Sequence, residues 1–166
     1  EVNRRTLTRL RSRKENPVAQ KPHIPLGVGF YPDWWLKNYD IAFGRDYYYN
    51  PDYRVEVQAR MQKILHDRFG DVGLGSPDPE PRPLITFGMV MLPAMFGCEI
   101  VFEDGALPWA IPLNLSKEAC DQLTRPDLPR TSPMKEVLEQ IDLFTSTYGR
   151  VAGDINVTGV QNLALK

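Results

Sequence analysis

Apolar positions along the chain follow two spacings, one typical of buried strands and one typical of amphipathic helices. Residues 24–30 form a short, mostly apolar run between turn-forming residues, which predicts a buried strand. In residues 52–69 apolar side chains recur every three or four positions, which predicts a helix with one buried face. Asn50 and Pro51 suit its N-cap and first turn, and Gly70 suits its end. The residues of that face are Val57, Met61, Ile64 and Leu65.

The same two patterns alternate along the rest of the chain. Residues 31–49 are dense in aromatic side chains and predict a long loop, and residues 76–83, with four prolines, cannot be helical. Strand-like segments are predicted at residues 71–75, 84–90, 98–102 and 149–154. Helices are predicted at residues 89–96, 116–123, 132–148 and 157–166, with Ser116 as an N-cap and Pro133 in a first turn. Alternating strands and helices predict an α/β fold, in which helices cover a parallel sheet.

Composition and charge narrow the possible partners. The chain has 166 residues, 42% hydrophobic and 25% charged, which is typical of one globular domain. A net charge of −1 gives no general attraction to nucleic acid, and no apolar run reaches the roughly 18 residues of a membrane span. Two cysteines make no disulfide scaffold, which favours the cytoplasm. Residues 1–22 carry many arginines and predict a basic, solvated helix or, alternatively, a phosphate- or partner-binding arm.

Two stretches carry a resemblance to a known family. Residues 83–109 read PLITFGMVMLPAMFGCEIVFEDGALPW, and residues 153–166 read GDINVTGVQNLALK. With much of residues 23–166, they resemble the uroporphyrinogen decarboxylase superfamily, which also contains corrinoid-linked methyltransferases. The resemblance implies that residues 23–166 are the amino-terminal part of a TIM-type (β/α)8 barrel. Such barrels typically take about 250 residues, so the second half is expected to lie outside this chain.

Departures from the decarboxylase pattern indicate which branch of the superfamily this sequence resembles more. Family decarboxylases carry an aspartate for the pyrrole nitrogens six residues before the proline of the LPAM segment, a position that is Phe87 here. They also carry paired arginines after the first strand, whereas residues 24–36 contain no arginine or lysine. The segments at residues 98–104 and 108–109 instead resemble the methyltransferases. A divergent decarboxylase, or a non-catalytic structural or interaction subunit, remains as an alternative.

The methyltransferase resemblance implies cofactors and partners. Those enzymes move a methyl group from an O- or N-methylated small molecule to a cobamide on a partner corrinoid protein. Their zinc is held by histidine and cysteine of the carboxyl-terminal half, so this chain alone is expected to bind no metal and no cofactor. Its own candidates, His23, His66, Cys98 and Cys120, have no partner at metal-ligand spacing.

Candidate substrate-binding residues follow two of the predicted strands. In a barrel, substrate groups cluster where strands end and lead into helices. The first such end has aromatic and acidic residues, and its alternative is an aromatic cluster that packs the surface. The second has small and polar residues before a helix, and its alternative is ordinary helix capping. The candidates are Tyr31, Asp33 and Trp34 at the first end, and Asp154, Asn156 and Thr158 at the second.

An incomplete barrel also predicts association. Its inner strand faces are uncovered, so Leu26, Val28, Ile85 and Val151 are expected to face water. Monomers rarely expose large apolar patches, and an open sheet edge favours pairing. We therefore expect a homo-oligomer, or pairing with the missing carboxyl-terminal half.

Overall fold

In a computed structural model of the chain, the structure describes residues 27–153, and every structural statement below concerns that range. It contains six α-helices, four short strands, and 3₁₀ turns at Gly70–Val72 and Leu128–Arg130. None of its helices is long and apolar enough to cross a lipid bilayer. The helices are α1 (Pro32–Tyr39), α2 (Arg45–Tyr49), α3 (Pro51–Phe69), α4 (Met91–Met95), α5 (Lys117–Asp121) and α6 (Met134–Tyr148). The strands are β1 (Leu84–Ile85), β2 (Ile100–Val101), β3 (Trp109–Ala110) and β4 (Ala152–Gly153).

The longest helix, α3, begins where its capping residues predict. The side-chain oxygen of Asn50 accepts a hydrogen bond from the backbone nitrogen of Tyr53 at 3.1 Å, which satisfies one of the free amides of the first turn. Gly70 caps the helix in a right-handed conformation, and the chain continues through a 3₁₀ turn to Gly73, which has a φ of 81°. The strand predicted at residues 71–75 is therefore wrong, because this turn occupies it.

The shorter helices also follow their local signals. Helices α4, α5 and α6 lie within or one residue outside their predicted ranges. Ser116 caps α5, since its hydroxyl oxygen accepts from the backbone nitrogen of Ala119 at 3.2 Å. The aromatic segment at residues 31–49 is not a long loop but contains α1 and α2.

The parallel sheet is present as one pair of strands. β1 and β4 pair in parallel, with Leu84 opposite Ala152 and Ile85 opposite Gly153. β2 and β3 pair antiparallel instead, in a separate sheet, and the described residues form no closed barrel. The reason is the short connection between β2 and β3, because a parallel crossover needs roughly a dozen residues or more.

The strand predicted at residues 24–30 is wrong over its described part. Residues 27–30 are not a strand, and the Val28 side chain is 67% exposed. Gly27 and Gly29 face open space, so the segment has little side chain to bury and no strand beside it. Residues 24–26, with Leu26, lie outside the described range.

The core is aromatic and gathers around α3 and β1. Helices α3 and α6 both contact β1 and cover it. Ile85 is consequently only 5% exposed, which makes the expectation that it faces water wrong, whereas Val151 is exposed. The buried core residues are Trp35, Ile41, Phe43, Tyr47, Tyr48, Val57, Ile85, Phe87, Met91, Met95, Val137 and Phe144.

Candidate functional site

Three predicted substrate-binding residues lie at the beginning of α1. Tyr31 is the N-cap residue and is 68% exposed, and Asp33 is exposed in the first turn. Trp34 is half-buried, with its ring 4.4 Å from that of Phe30 and 4.8 Å from that of Trp35. Tyr31 and Asp33 are thus open to a ligand, while Trp34 belongs to a packed aromatic cluster.

This aromatic cluster fastens α1 to the end of α3. The ring of Phe30 stacks on Phe69 at 5.5 Å. The hydroxyl of Tyr39 accepts a hydrogen bond from Arg68 at 2.9 Å, and its backbone carbonyl accepts one from Arg60 at 2.8 Å. Packing therefore accounts for the position of Trp34, and a role for it against substrate stays a prediction.

The other predicted residues, Asp154, Asn156 and Thr158, lie outside the described range, but the strand before them is described. Gly153 at the end of β4 has a φ of 107°, and a Cβ there would lie 2.4 Å from the carbonyl oxygen of Ile85. Only glycine fits so close an approach. The pairing brings the carboxyl ends of β1 and β4 side by side, which is where a barrel places substrate groups.

Phe87 lies just after β1 and is buried. Its ring meets that of Tyr49 edge-on at 5.2 Å and lies 6.3 Å from that of Tyr48. This position at the strand end therefore carries an apolar side chain inside the core, without a group that binds pyrrole nitrogens.

The most unusual group in the interior is Arg54 of α3, which the sequence patterns missed. It is fully buried, and its Nε donates to the carbonyl of Leu84 at 2.6 Å. Its Nη1 donates to the carbonyls of Tyr47 and Tyr48 at 3.0 and 2.9 Å, and its Nη2 donates to the side-chain oxygen of Gln140. The amide nitrogen of Gln140 in turn donates to the carbonyl of Tyr48 at 3.0 Å. The guanidinium thus ties α2, α3, β1 and α6 together.

No ion pair with a carboxylate of residues 27–153 accompanies this charge. Burial disfavours the charged form and lowers the pKa of Arg54 to about 10, although the neighbouring tyrosines act in the opposite direction. The group still carries its proton at neutral pH. It is therefore a buried cation held by neutral oxygen dipoles.

Two buried phenols lie beside Arg54. Burial raises the pKa of Tyr47 above 10.0, and hydrogen bonding to Gln58, whose amide donates to the Tyr47 hydroxyl oxygen, only partly opposes this. Burial also raises the pKa of Tyr48. Both remain neutral at physiological pH and supply no counter-charge to Arg54.

A cavity of about 510 Å³ opens at the amino ends of β1 and β4. This is the opposite end of the parallel pair from its carboxyl ends. Prolines and the backbone of both strands form much of its wall. Its polar lining residues are Gln62, Ser76, Glu80, Arg82 and Arg150.

Metal-ligand chemistry is sparse in the described part of the chain. No group of three or more histidine, cysteine, aspartate or glutamate side chains there is arranged to hold a metal ion. Cys98 is buried and Cys120 is exposed, and the Nδ1 atom of His66 lies 3.7 Å from a carboxylate oxygen of Asp67. The fourth candidate from the sequence, His23, lies outside the described range.

Comparisons with family models, curated proteins and solved structures gave no match for the chain.

Proposed function

We propose that the chain is the amino-terminal part of a uroporphyrinogen decarboxylase-like (β/α)8 barrel. The complete protein would be a cytoplasmic, corrinoid-dependent methyltransferase. The resemblance at residues 83–109 and 153–166 is the basis of this assignment. The parallel pairing of β1 with β4 supports it, because α6 lies between them in sequence and packs on β1, as in a β–α–β unit of a barrel.

The observation that favours methyl transfer over decarboxylation is the buried Phe87. Decarboxylases of the family place an aspartate at this position. A phenylalanine packed against Tyr48 and Tyr49 accepts no hydrogen bond and contributes no charge. This position therefore has no means of holding a tetrapyrrole through its nitrogens.

The proposed substrate site lies at the carboxyl ends of the strands. Tyr31 and Asp33 are exposed at the beginning of α1, and the small and polar residues Asp154, Asn156 and Thr158 follow β4 in the sequence. In a barrel the ends of different strands open on the same face. Side chains about 120 residues apart in sequence thus converge on one small molecule, with Trp34 as an apolar wall.

Zinc and a corrinoid belong to the proposed reaction but not to residues described here. Zinc would act as a Lewis acid on the methyl-bearing group of the substrate, and the cobamide would be carried by a partner protein. In the proposed transfer the methyl carbon would pass to the reduced cobamide, which would supply the electron pair of the new bond, while the oxygen or nitrogen left behind would keep the electron pair of the old bond and take a proton. Residues 27–153 would contribute the wall and the polar contacts that orient the substrate.

The test uses the complete protein with zinc, a reduced corrinoid protein and a panel of O- and N-methylated compounds. Consumption of the reduced corrinoid, followed by its visible absorbance, is the expected result. Asn156→Ala should lower turnover and leave the thermal midpoint nearly unchanged, and the exposed Gln122→Ala serves as its control. Loss of stability with normal turnover would instead mean that Asn156 is a helix cap.

A parallel incubation with uroporphyrinogen separates the alternatives. Appreciable coproporphyrinogen would identify a divergent decarboxylase and overturn the proposal. Absence of both activities across the panel would favour a non-catalytic structural or interaction subunit.

A further inference from the structure

The cavity at the amino ends of β1 and β4 is built around two arginines at equivalent strand positions. Arg82 precedes Leu84 by two residues and Arg150 precedes Ala152 by two residues, and Leu84 pairs with Ala152. The nitrogen of Ala152 donates to the carbonyl of Pro83 at 2.8 Å, which is one of the hydrogen bonds of this parallel pairing. Arg82 and Arg150 both line the cavity, beside the starts of the two paired strands.

Positive charge outweighs negative charge at this cavity. Glu80 is the one carboxylate among the lining residues, and it pairs with Arg150 at 3.2 Å in an exposed contact. Arg82 makes no ion pair with the described residues. The buried cation of Arg54 donates through its Nε to the carbonyl of Leu84, the residue that follows the lining residue Pro83. An excess of positive charge in a cleft raises the local concentration of anions.

The neutral wall of the cavity is fixed in place. The backbone nitrogen of Ser76 donates to the carbonyl of Gln62 at 3.1 Å, which fastens the loop to α3. Gly75 before it has a φ of 74°, and a Cβ there would lie 2.2 Å from the backbone nitrogen of His66. The proline-rich segment at residues 77–83 forms the adjoining wall. An ordered wall with a hydroxyl and an amide lowers the entropy lost when a ligand binds.

We propose that this cavity binds a small molecule through a phosphate or carboxylate group, held between Arg82 and Arg150. Guanidinium groups form charge-assisted and often bidentate hydrogen bonds with both kinds of oxyanion. The cavity volume of about 510 Å³ is in the range of small-molecule sites. The inference is independent of the proposed methyl transfer, since the cavity lies at the other end of the strands.

Calorimetric titration of the 166-residue chain at low ionic strength tests the site, with inorganic phosphate and succinate as separate probes. Saturable binding of one anion to one site is expected, and the tighter probe identifies whether phosphate or carboxylate is the natural group. Arg82→Gln should weaken that binding about ten-fold or more, since hydrogen bonds to charged groups are being lost. Arg125→Gln, which removes one exposed positive charge elsewhere, should leave it within about two-fold.

A second variant is expected to bind the anion more tightly, a result that misfolding would not produce. Glu80→Gln removes the carboxylate that competes for Arg150, so binding of the same probe should become several-fold tighter. Equal affinities for Arg82→Gln and Arg125→Gln would overturn the proposal. Failure of both anions to bind saturably, or weaker binding by Glu80→Gln, would overturn it as well.

Discussion

Arg54 lies three residues before Val57 and therefore on the buried face of α3. The sequence shows a charged residue within the apolar stripe of a helix, but it does not reveal which groups accept hydrogen bonds from the Arg54 guanidinium. They are backbone carbonyls of α2 and β1 and a side chain of α6, as far as 86 residues away. Local spacing does not encode such partners, because they depend on how the helices pack.

The predicted substrate-binding residues show the same limit. The many aromatic residues around Trp34 were compatible with either a ligand-binding wall or a packed cluster. In the structure, Trp34 packs against the rings of Phe30 and Trp35. The sequence alone could not decide, since an indole serves either purpose. Exposure of Tyr31 and Asp33 depends on where α1 begins, and that segment was predicted to be a loop.

Tyr48 gives a prediction about alkaline stability. Burial raises the pKa of both Tyr47 and Tyr48, so above pH 10 the unfolded chain loses protons that the folded chain keeps. These phenols leave the free energy of unfolding unchanged below pH 10 and lower it above that pH. Arg54 acts oppositely, because its folded pKa of about 10 lies below the ordinary 12.5. Two phenols act against one guanidinium, so the free energy of unfolding is expected to fall as the pH rises above 10.

Urea unfolding of the 166-residue chain between about pH 10.5 and 12 measures that slope. In Tyr48→Phe, one phenol fewer opposes Arg54, so the fall in the free energy of unfolding with pH should become smaller. A Tyr48→Phe chain that keeps the wild-type slope would show that this phenol does not carry the effect.

Among the elements, those set by local chemistry were predictable. Helix α3 and its cap at Asn50 depend on neighbouring residues, and α5 follows Ser116 in the same way. The pairing of the strands was harder to predict from the sequence. β2 was expected in a parallel sheet, but it pairs with β3 as an antiparallel hairpin. Within the described residues, the run at residues 84–90 contributes only Leu84–Ile85 as strand.

Gly153 allows a direct test of the β1–β4 pairing. Gly153→Ala places a methyl group 2.4 Å from the carbonyl oxygen of Ile85, which forces the strands apart. A loss of about 3 kcal/mol in the free energy of unfolding is expected, from this clash together with the positive φ. Gly149→Ala is the matched control, because Gly149 also has a positive φ but meets nothing within 4 Å. It should cost about 1 kcal/mol, and equal losses in urea unfolding would refute the close approach.

At the scale of the molecule, the α/β character was predictable and its extent was not. Alternating patterns predicted strands beside helices, and one parallel pair is present. Closure into a barrel remains part of the proposal, since two short sheets are what residues 27–153 form.

Exposed apolar side chains make association of the chain an expected outcome. Residues 107–111 alternate, with Pro108 and Ala110 buried and the odd-numbered residues exposed, and Leu113 and Leu115 beyond them are exposed too. Val28 and Val151 are exposed as well. Light scattering on the 166-residue chain should therefore give a mass above 19.0 kDa, and added salt should not reverse it, because apolar contacts are not screened. A monodisperse monomer with a cooperative melt would contradict both association and the partial barrel.

The hydrogen bonds of Arg54 have a consequence for folding during synthesis on the ribosome. The chain emerges from its amino end, so α2, α3 and β1 are free to meet long before α6 has been made. Until Gln140 arrives, the guanidinium lacks its side-chain acceptor and the carbonyl of Tyr48 lacks its amide donor. A nascent chain that stops before α6 can offer this cation only the backbone carbonyls of α2 and β1, and burying a charge with fewer partners is costly. Full burial of Arg54 is therefore expected only after α6 has been made.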